Sequence, residues 1–359
     1  IDQILSSDNI GPDGFVLRET TRATDNYSAA QAIDAAFFNV DFNFKGRYRV
    51  VLGSRHERND QSVTTFSIVN PSAAPVRSTD RSSVWLPAAS FAWLYSENAQ
   101  VRAGFSRTVA RPDFRELSPS PYTDPELDID TIGRPDLQAT RIRNIDLRWE
   151  YYFSDSDSLS VAAFDKKFDH PIERVRLAGS TPLLSFANAG SAHNDGVELD
   201  IYKSLGFLGE RWKVAELENF YAGFNYARIR SNVQLDPLSA SFQTNLSRAM
   251  QGQSPYVMNA QIGYRHPDNR LETTLLFNRF GRRISEVGVQ GQPDIYEEAF
   301  SALDFQFRQR FARDWRWTLK LRNLLDPKVQ FVQGGLSTRE FRKGREIAFS
   351  LEWRLGSSR

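Results

Sequence analysis

Alternation of apolar and polar residues runs through most of the chain and is clearest near its end. Between Phe341 and Leu355, the odd-numbered positions from Ile347 onward are apolar, and the even-numbered positions are mainly charged or small. A period of two is typical of an extended strand, because successive side chains leave a pleated backbone on opposite sides. We therefore predict one continuous strand over Phe341–Leu355. Its apolar run rises about 27 Å, or roughly 21 Å in height at a tilt of about 40°, close to the apolar band of a membrane barrel.

The same pattern recurs upstream and predicts an antiparallel array. It gives thirteen clear strands and a weak one at Gly14–Thr21, with residues 1–31 weakly patterned, 32–355 forming barrel strands and 356–359 a tail. Short turns such as Lys45-Gly46 alternate with long loops such as 112–138, which is typical of an outer-membrane barrel. The prediction is an all-β, transmembrane, antiparallel up-and-down β-barrel. Aromatic residues are expected near the short turns as an interfacial girdle: Trp85, Trp93, Tyr95, Trp149, Tyr151, Trp315, Trp317 and Trp353.

Composition narrows the function without naming it. The 359 residues carry a formal charge of +1, so no global field indicates nucleic acid as a partner. The chain has no cysteine, which excludes disulfides and thiol catalysis. The sequence holds no run of about 18 apolar residues, so no transmembrane helix is predicted. A nucleophile elbow or phosphate loop is also absent, so neither an enzyme nor a cofactor is predicted.

Charged residues at the start of the longest loop form the candidate ligand site. The set is Arg107, Arg111, Asp113, Arg115 and Glu116. Guanidinium groups pair well with carboxylate or phosphate, so these arginines favour an anionic ligand over a neutral sugar. The alternative is that the arginines pair with each other's neighbours or with lipopolysaccharide.

The same loop contains a weak candidate for a cation site. Its members are Asp124, Glu126, Asp128 and Asp130. Carboxylates are ligands that calcium prefers, but the glycine and terminal glutamate of a calcium loop are missing. A solvated loop is the preferred interpretation, and no metal is predicted. The four histidines are scattered along the chain and lack metal-ligand spacing: His56, His170, His193 and His266.

Several short motifs resemble those of a known family. Residues Ser106–Leu117 (SRTVARPDFREL) are similar to the strand-to-loop segment of TonB-dependent outer-membrane receptors. The resemblance continues at Gly133–Leu137, Phe186–Ala189, Gly196–Asp200 and Asn323–Asp326. The ending resembles a barrel-assembly signal, carried by Arg342, Gly344, Ile347 and Phe349.

The resemblance implies a fold and a role. It implies that the chain is the C-terminal part of a 22-stranded barrel that imports a scarce ligand, such as a metal chelate, a vitamin or an oligosaccharide. Energy would pass from an inner-membrane protein through a plug domain that we expect outside this chain. Implied partners are outer-membrane lipid, lipopolysaccharide, the barrel-assembly machinery and a small extracellular ligand, in the outer membrane of a Gram-negative bacterium. Two alternatives stay open: a complete 14-stranded passive channel and a soluble all-β binding protein.

Overall fold

Strands account for most of the computed structural model. It describes residues 9–11, 14–16, 25–67, 72, 74–124, 128–177, 179, 183–235, 243–312 and 314–354. In chain order the elements are β1 (Asn26–Phe44), β2 (Tyr48–Phe66), β3 (Arg77–Ser96), β4 (Ala99–Ala110), α1 (Phe114–Leu117), β5 (Tyr122–Asp124), β6 (Ile129–Thr131), β7 (Thr140–Tyr152), β8 (Ser158–Asp169), β9 (Ile172–Leu177), β10 (Leu183–Asn188), β11 (Ser191–Ser204), α2 (Gly206–Trp212), a 3-10 helix (Ala215–Asn219), β12 (Phe220–Gln234), β13 (Ser247–Arg248), β14 (Tyr256–Arg265), β15 (Leu271–Phe280), β16 (Arg283–Glu286), β17 (Ile295–Glu297), β18 (Phe300–Ala312), β19 (Trp315–Arg322), β20 (Lys328–Gln333), β21 (Leu336–Arg342) and β22 (Glu346–Trp353).

One 14-stranded antiparallel sheet, the barrel sheet, organises the molecule. Its order is β1-β2-β3-β4-β7-β8-β11-β12-β14-β15-β18-β19-β22, and β13 pairs with β12 off this path. Neighbours in the sheet follow each other along the chain, as the up-and-down prediction requires. Within the described residues β1 and β22 are not paired, whereas a closed 14-stranded channel would join them.

The two faces of the barrel sheet differ in chemistry. Cross-strand partners share a face, so the row Val101, Trp149, Val161 and Leu199 defines the outward, apolar face. The opposite, inner face carries charged residues at alternating positions, including Glu150. Many outward hydrophobic side chains are exposed, which suits contact with lipid: Val40, Phe42, Leu52, Leu147, Val161, Val197, Ile262 and Phe349 are examples.

The predicted aromatic girdle is present with one exception. Tyr48 stacks on Trp93 with ring centroids 6.3 Å apart, and Trp315 stacks on Trp353 at 5.7 Å, both beside short turns. Trp85 instead lies towards the opposite end of its strand, where its ring packs 4.7 Å from that of His56. The prediction for Trp85 was wrong because β3 is a 20-residue strand, long enough to reach both interfaces.

The connections at the two ends of the strands are unequal, as predicted. The short-turn end includes one longer connection, which contains α2 and the 3-10 helix. The other end carries two small sheets: the first loop sheet, ordered β5-β6-β10-β9, and the second loop sheet, ordered β16-β17-β20-β21. No helix in the described ranges is long and apolar enough to cross a membrane.

The loop after β4 folds inward over the end of the barrel sheet. Leu117 of α1 is buried against Val63 of β2 and Leu137. Gln61, also on the inner face of β2, donates a hydrogen bond to the carbonyl of Pro112 at 2.9 Å. The inner surface of the barrel wall therefore anchors this loop, which places it over the lumen.

The predicted continuous strand over Phe341–Leu355 is broken in the structure. β21 ends at Arg342 and belongs to the second loop sheet, whereas β22 begins at Glu346 in the barrel sheet. Gly344 between them has φ of +81°, a conformation that glycine adopts without steric cost. Its carbonyl accepts a hydrogen bond from Asn323 at 2.6 Å. The alternation continued across this turn by coincidence, so the single-strand prediction was wrong.

Other boundaries also differ from the sequence expectation. β1 begins at Asn26, inside the segment 1–31, and Gln31 bonds to Asn59 of β2 at 2.9 Å. This part of β1 is polar because it extends past the apolar band, which hides its periodicity. The fourteenth strand of the sheet is β13, not Gly14–Thr21, of which positions 17–21 lie outside the described residues together with 355–359.

Candidate functional site at the loop end of the barrel

Three loops meet above the inner side of the barrel sheet. Residues 243–254 lie between the two loop sheets: Gln243 bridges to Val289, and the amide of Gly252 donates to the carbonyl of Ile284 at 2.8 Å. The two loop sheets and residues 243–254 together are called the loop layer below. Its connections tie loops that are far apart in sequence into one surface.

A buried ion pair lies at the centre of the loop layer. Two guanidinium nitrogens of Arg248 lie 3.0 and 2.8 Å from the two carboxylate oxygens of Glu173 in β9. The side chains are only 1% and 4% exposed, so the charges are removed from water. Arg248 also donates to the side-chain oxygen of Gln243 at 2.9 Å. A bidentate pair in this setting fixes the relative position of the two loops.

Gln251 extends this junction to the second loop sheet. Its amide N–H donates to Glu173, its side-chain oxygen accepts from the amide of Arg174, and its side-chain nitrogen donates to the carbonyl of Ser285. Nearby, Arg176 of β9 pairs with Glu286 of β16 at 2.6 Å. The first loop sheet is thus joined to the second by direct hydrogen bonds and an ion pair.

Two predicted ligand-binding residues form the cap of α1. The carboxylate of Asp113 accepts from the amide of Arg115 at 3.1 Å, and Glu116 accepts from the amide of Asp113 at 2.8 Å. This is a capping box, which satisfies the free amides at a helix start. Burial raises the pKa of the Glu116 carboxyl, and the hydrogen bond from Asp113 partly opposes the change. Asp113 and Glu116 therefore hold the loop in shape.

Arg111 is also engaged within the protein. Its guanidinium lies 2.9 Å from Glu57 on the inner face of β2, and Glu57 also accepts from Arg55 at 2.7 Å. Both Arg111 and Glu57 are largely buried. This arrangement attaches the start of the loop to the inner wall.

Arg115 is exposed and lies beside an aromatic ring. Its guanidinium carbon is 4.9 Å from the centroid of Tyr122 in β5. Asp124, two residues further on, pairs with Arg174 of β9 at 2.9 Å. Burial raises the pKa of the Tyr122 phenol, and the positive charges of Arg115 and Arg174 partly oppose this. Arg115, Tyr122, Asp124 and Arg174 are called the mouth cluster below; it has two cations, one carboxylate and one phenol.

Arg107 lies apart from the other predicted residues. It is directly opposite Arg143, two positions beyond the outward pair Phe105 and Ile145, in a ladder without a register shift. Arg107 is therefore on the outward face of the barrel sheet, whereas Arg111 and Arg115 lie on the lumen side. The structure does not bring the five residues into one cluster.

The acidic run after Tyr122 is divided by the β5–β6 hairpin. Asp124 is in register with Ile129, and Asp130 is in register with Thr123, so the two carboxylates lie on opposite faces. Asp128 occupies the turn with φ of +53°. Glu126 lies outside the described residues. Across the part of the chain that the structure describes, no group of three or more metal-ligating side chains is found.

The comparison with protein families decides the identity of this barrel. A model described as TonB dependent receptor-like, beta-barrel, matches residues 3–324. The chain belongs to the TonB-dependent receptor β-barrel family. Members of this family are outer-membrane receptors and transporters of Gram-negative bacteria, so the resemblance seen in the sequence motifs is confirmed. No curated protein sequence matches the chain.

Solved structures of TonB-dependent receptors share the fold. The copper transporter OprC is 14% identical with a TM-score of 0.64, over 90% of this chain and 48% of that one. The ferric-catecholate import receptor Fiu of E. coli K12 is 11% identical with a TM-score of 0.63, over 95% and 47%. A mutant of the ferric enterobactin receptor PfeA of Pseudomonas aeruginosa is 14% identical with a TM-score of 0.57, over 90% and 54%. The chain thus spans about half the length of these structures.

Proposed function

We propose that this TonB-dependent receptor barrel takes up a small anionic ligand that first binds on the loop layer. Uptake would be energised through a plug domain by an inner-membrane coupling protein, and barrel insertion would use the assembly machinery through the terminal strand. Binding and transport, rather than catalysis, are the chemistry that the residues support. Relatives named for ferric enterobactin, ferric catecholate and copper import are consistent with a scarce metal chelate as the ligand class.

The observation that supports the proposal is the mouth cluster. Arg115 is exposed on the lumen side and makes no ion pair with any described residue, so its charge is open to a ligand. The Tyr122 ring holds the guanidinium in place by a cation–π contact. Arg174 approaches from another loop, and a carboxylate or phenolate oxygen of a ligand could compete with Asp124 for it.

The other predicted residues have supporting roles in this proposal. Arg111 attaches the loop to Glu57, and Asp113 and Glu116 cap the helix that presents Arg115. The proposal therefore assigns direct ligand contact to Arg115, Tyr122 and Arg174, and positioning to Arg111, Asp113 and Glu116.

The test is uptake and binding with the full-length protein in cells that lack their own iron receptors. Ferric enterobactin serves as the anionic probe, and a neutral maltooligosaccharide serves as the comparison. Replacing Arg115 with Gln should weaken binding of the anionic probe roughly tenfold, because a charge-assisted hydrogen bond contributes about 1.5–3 kcal/mol. The salt dependence of binding should also decrease.

Arg134→Gln is the matched control in the same loop. Arg134 is already neutralised by Asp136, with two hydrogen bonds of 3.0 and 2.6 Å, so its loss should leave probe affinity unchanged. Equal affinity and salt response in Arg115→Gln and the parent would remove the mouth cluster from the site. Preferential uptake of the neutral sugar would contradict the anionic ligand class.

A further inference from the structure

A row of cations crosses three strands on the outward face of the barrel sheet. Arg107 of β4 is directly opposite Arg143 of β7, and Arg143 is directly opposite Lys167 of β8. The next position in the row, on β11, is His193. All three cations are exposed. Arg107, Arg143 and Lys167 are called the basic row below.

Placing these like charges side by side costs stability. Directly opposite residues have Cβ atoms about 5 Å apart, and like charges at that distance repel. Among the described residues, none of the three cations makes an ion pair. A sequence that keeps a locally unfavourable arrangement, without a compensating partner in the protein, indicates a partner outside it.

Neighbouring carboxylates do not neutralise the basic row. Asp165 lies on the same face but is held by His193, with Nε2 2.5 Å from the carboxylate oxygen. Asp169 lies on the other side of Lys167 and directly opposite Arg141, a fourth exposed cation of this face. Asp169 and Arg141 offset each other in charge, which leaves the three positive charges of the basic row.

The position of the basic row is at the membrane surface. It lies two residues beyond the outward apolar pair Phe105 and Ile145, towards the loop end. At about 3.4 Å per residue and a tilt of about 40°, this raises the row roughly 5 Å above that pair. That is the depth at which strands pass from hydrocarbon to headgroups, and Trp85 lies at the same end of β3.

A groove beside the basic row has the shape and chemistry for a lipid headgroup. Its volume is about 490 Å³, and its lining includes Trp85, Arg107, Val109, Arg143 and Lys167. Strands lie about 4.8 Å apart, so the three cations span roughly 10 Å and could contact more than one phosphate oxygen. The apolar ring and Val109 offer a surface for the first part of an acyl chain or sugar.

We propose that the basic row binds the phosphate groups of a lipid in the outer leaflet. The lipid would be a phosphorylated lipid bound to the side of the barrel, separate from the ligand path through the lumen. It would neutralise the repulsion between Arg107, Arg143 and Lys167 and fix the depth of the barrel in the membrane.

The experiment measures lipid binding to the delipidated, full-length protein in uncharged detergent. The probe is bisphosphorylated lipid A, with its dephosphorylated form and inorganic pyrophosphate as the comparison molecules. Near an anionic lipid surface each basic residue contributes about fivefold in affinity, so Lys167→Gln should weaken lipid A binding about fivefold. The triple variant Arg107→Gln, Arg143→Gln and Lys167→Gln should weaken it on the order of 100-fold.

Lys166→Gln is the matched control, since Lys166 is the neighbouring residue on the inner face, opposite Asn144 and Asn194. It removes the same charge and should leave lipid A binding unchanged. Equal losses in Lys166→Gln and Lys167→Gln, or no loss in the triple variant, would overturn the proposal. Pyrophosphate binding as tight as that of lipid A would also overturn it, because a soluble anion site needs no membrane. If the triple variant does not assemble, the single-residue pair decides.

Discussion

Removing one partner of the buried pair Arg248–Glu173 should release the loop layer while leaving the barrel sheet intact. Both charges are almost fully buried, and breaking such a pair on one side costs about 3–5 kcal/mol because the remaining charge has no partner. Arg248→Met should therefore lower the free energy of local opening by about 3 kcal/mol, since part of the layer can relax. At 1.4 kcal/mol per tenfold, this speeds amide exchange more than 100-fold.

Hydrogen exchange at Arg174 and Gln251 measures this directly. Both amides are donors in hydrogen bonds that depend on the Arg248–Glu173 junction. Replacing both partners together, Arg248→Met with Glu173→Leu, should recover much of the protection, because no unpaired charge stays buried.

An exposed ion pair of the loop layer provides the control for that measurement. Lys328 and Glu340 lie 2.5 Å apart with side chains 55% and 36% exposed, so Lys328→Met should change protection by about 0–1 kcal/mol at most. If Arg248→Met and Lys328→Met change exchange equally little, then the buried pair does not hold the loops together. That result would refute the account of the loop layer.

Two further predictions concern the barrel sheet and its turns. Hydrogen bonds from Lys203 and the Ser204 amide outweigh burial, which alone would raise it, and hold the pKa of Asp157 below its usual value, so its stabilisation is full above about pH 4 and is lost as pH falls through the lowered pKa; Asp157→Asn should destabilise the protein in denaturant at pH 7, with a deficit that shrinks below pH 4. A Cβ at Gly196 would lie 2.4 Å from a backbone carbonyl, whereas at Gly104 the nearest atom is 3.8 Å away, so Gly196→Ala should cost about 1–3 kcal/mol and Gly104→Ala much less, measured by unfolding in detergent.

The barrel strands were predictable from sequence because the membrane imposes a period of two. Alternation of the type seen at Val101, Ala103 and Phe105 follows directly from lipid on one side and water on the other. The unequal connections also followed from sequence, since long polar segments such as 112–138 cannot be strands within the apolar band. Only positions outside that band, such as Asn26–Gln31 of β1, lost the signal.

The loop layer could not be predicted in the same way. Its strands have as few as two or three residues, too short for periodicity, and they pair with segments more than fifty residues away. Arg174, Arg248 and Gln251 therefore carried no local signal, although they form the junction between loops. Arg115 was found because it follows a recognisable strand-to-loop motif. Arg107 was predicted for the same reason, and only the cross-strand register shows that it faces outward.

The central claim is that one face of each barrel strand contacts lipid and the other faces water. The chain has no cysteine, so single spin labels can be placed at Leu147→Cys and Asp146→Cys on β7 in the full-length protein in bilayers. Leu147 lies on the outward face opposite Ala103, and Asp146 lies on the inner face opposite Gly104. The label at position 147 should be relaxed by oxygen, which concentrates in lipid, and that at 146 by a water-soluble nickel chelate. Equal access of the chelate to both labels, or the reverse preference, would contradict the assignment of faces on which the receptor barrel, the mouth cluster and the lipid site depend.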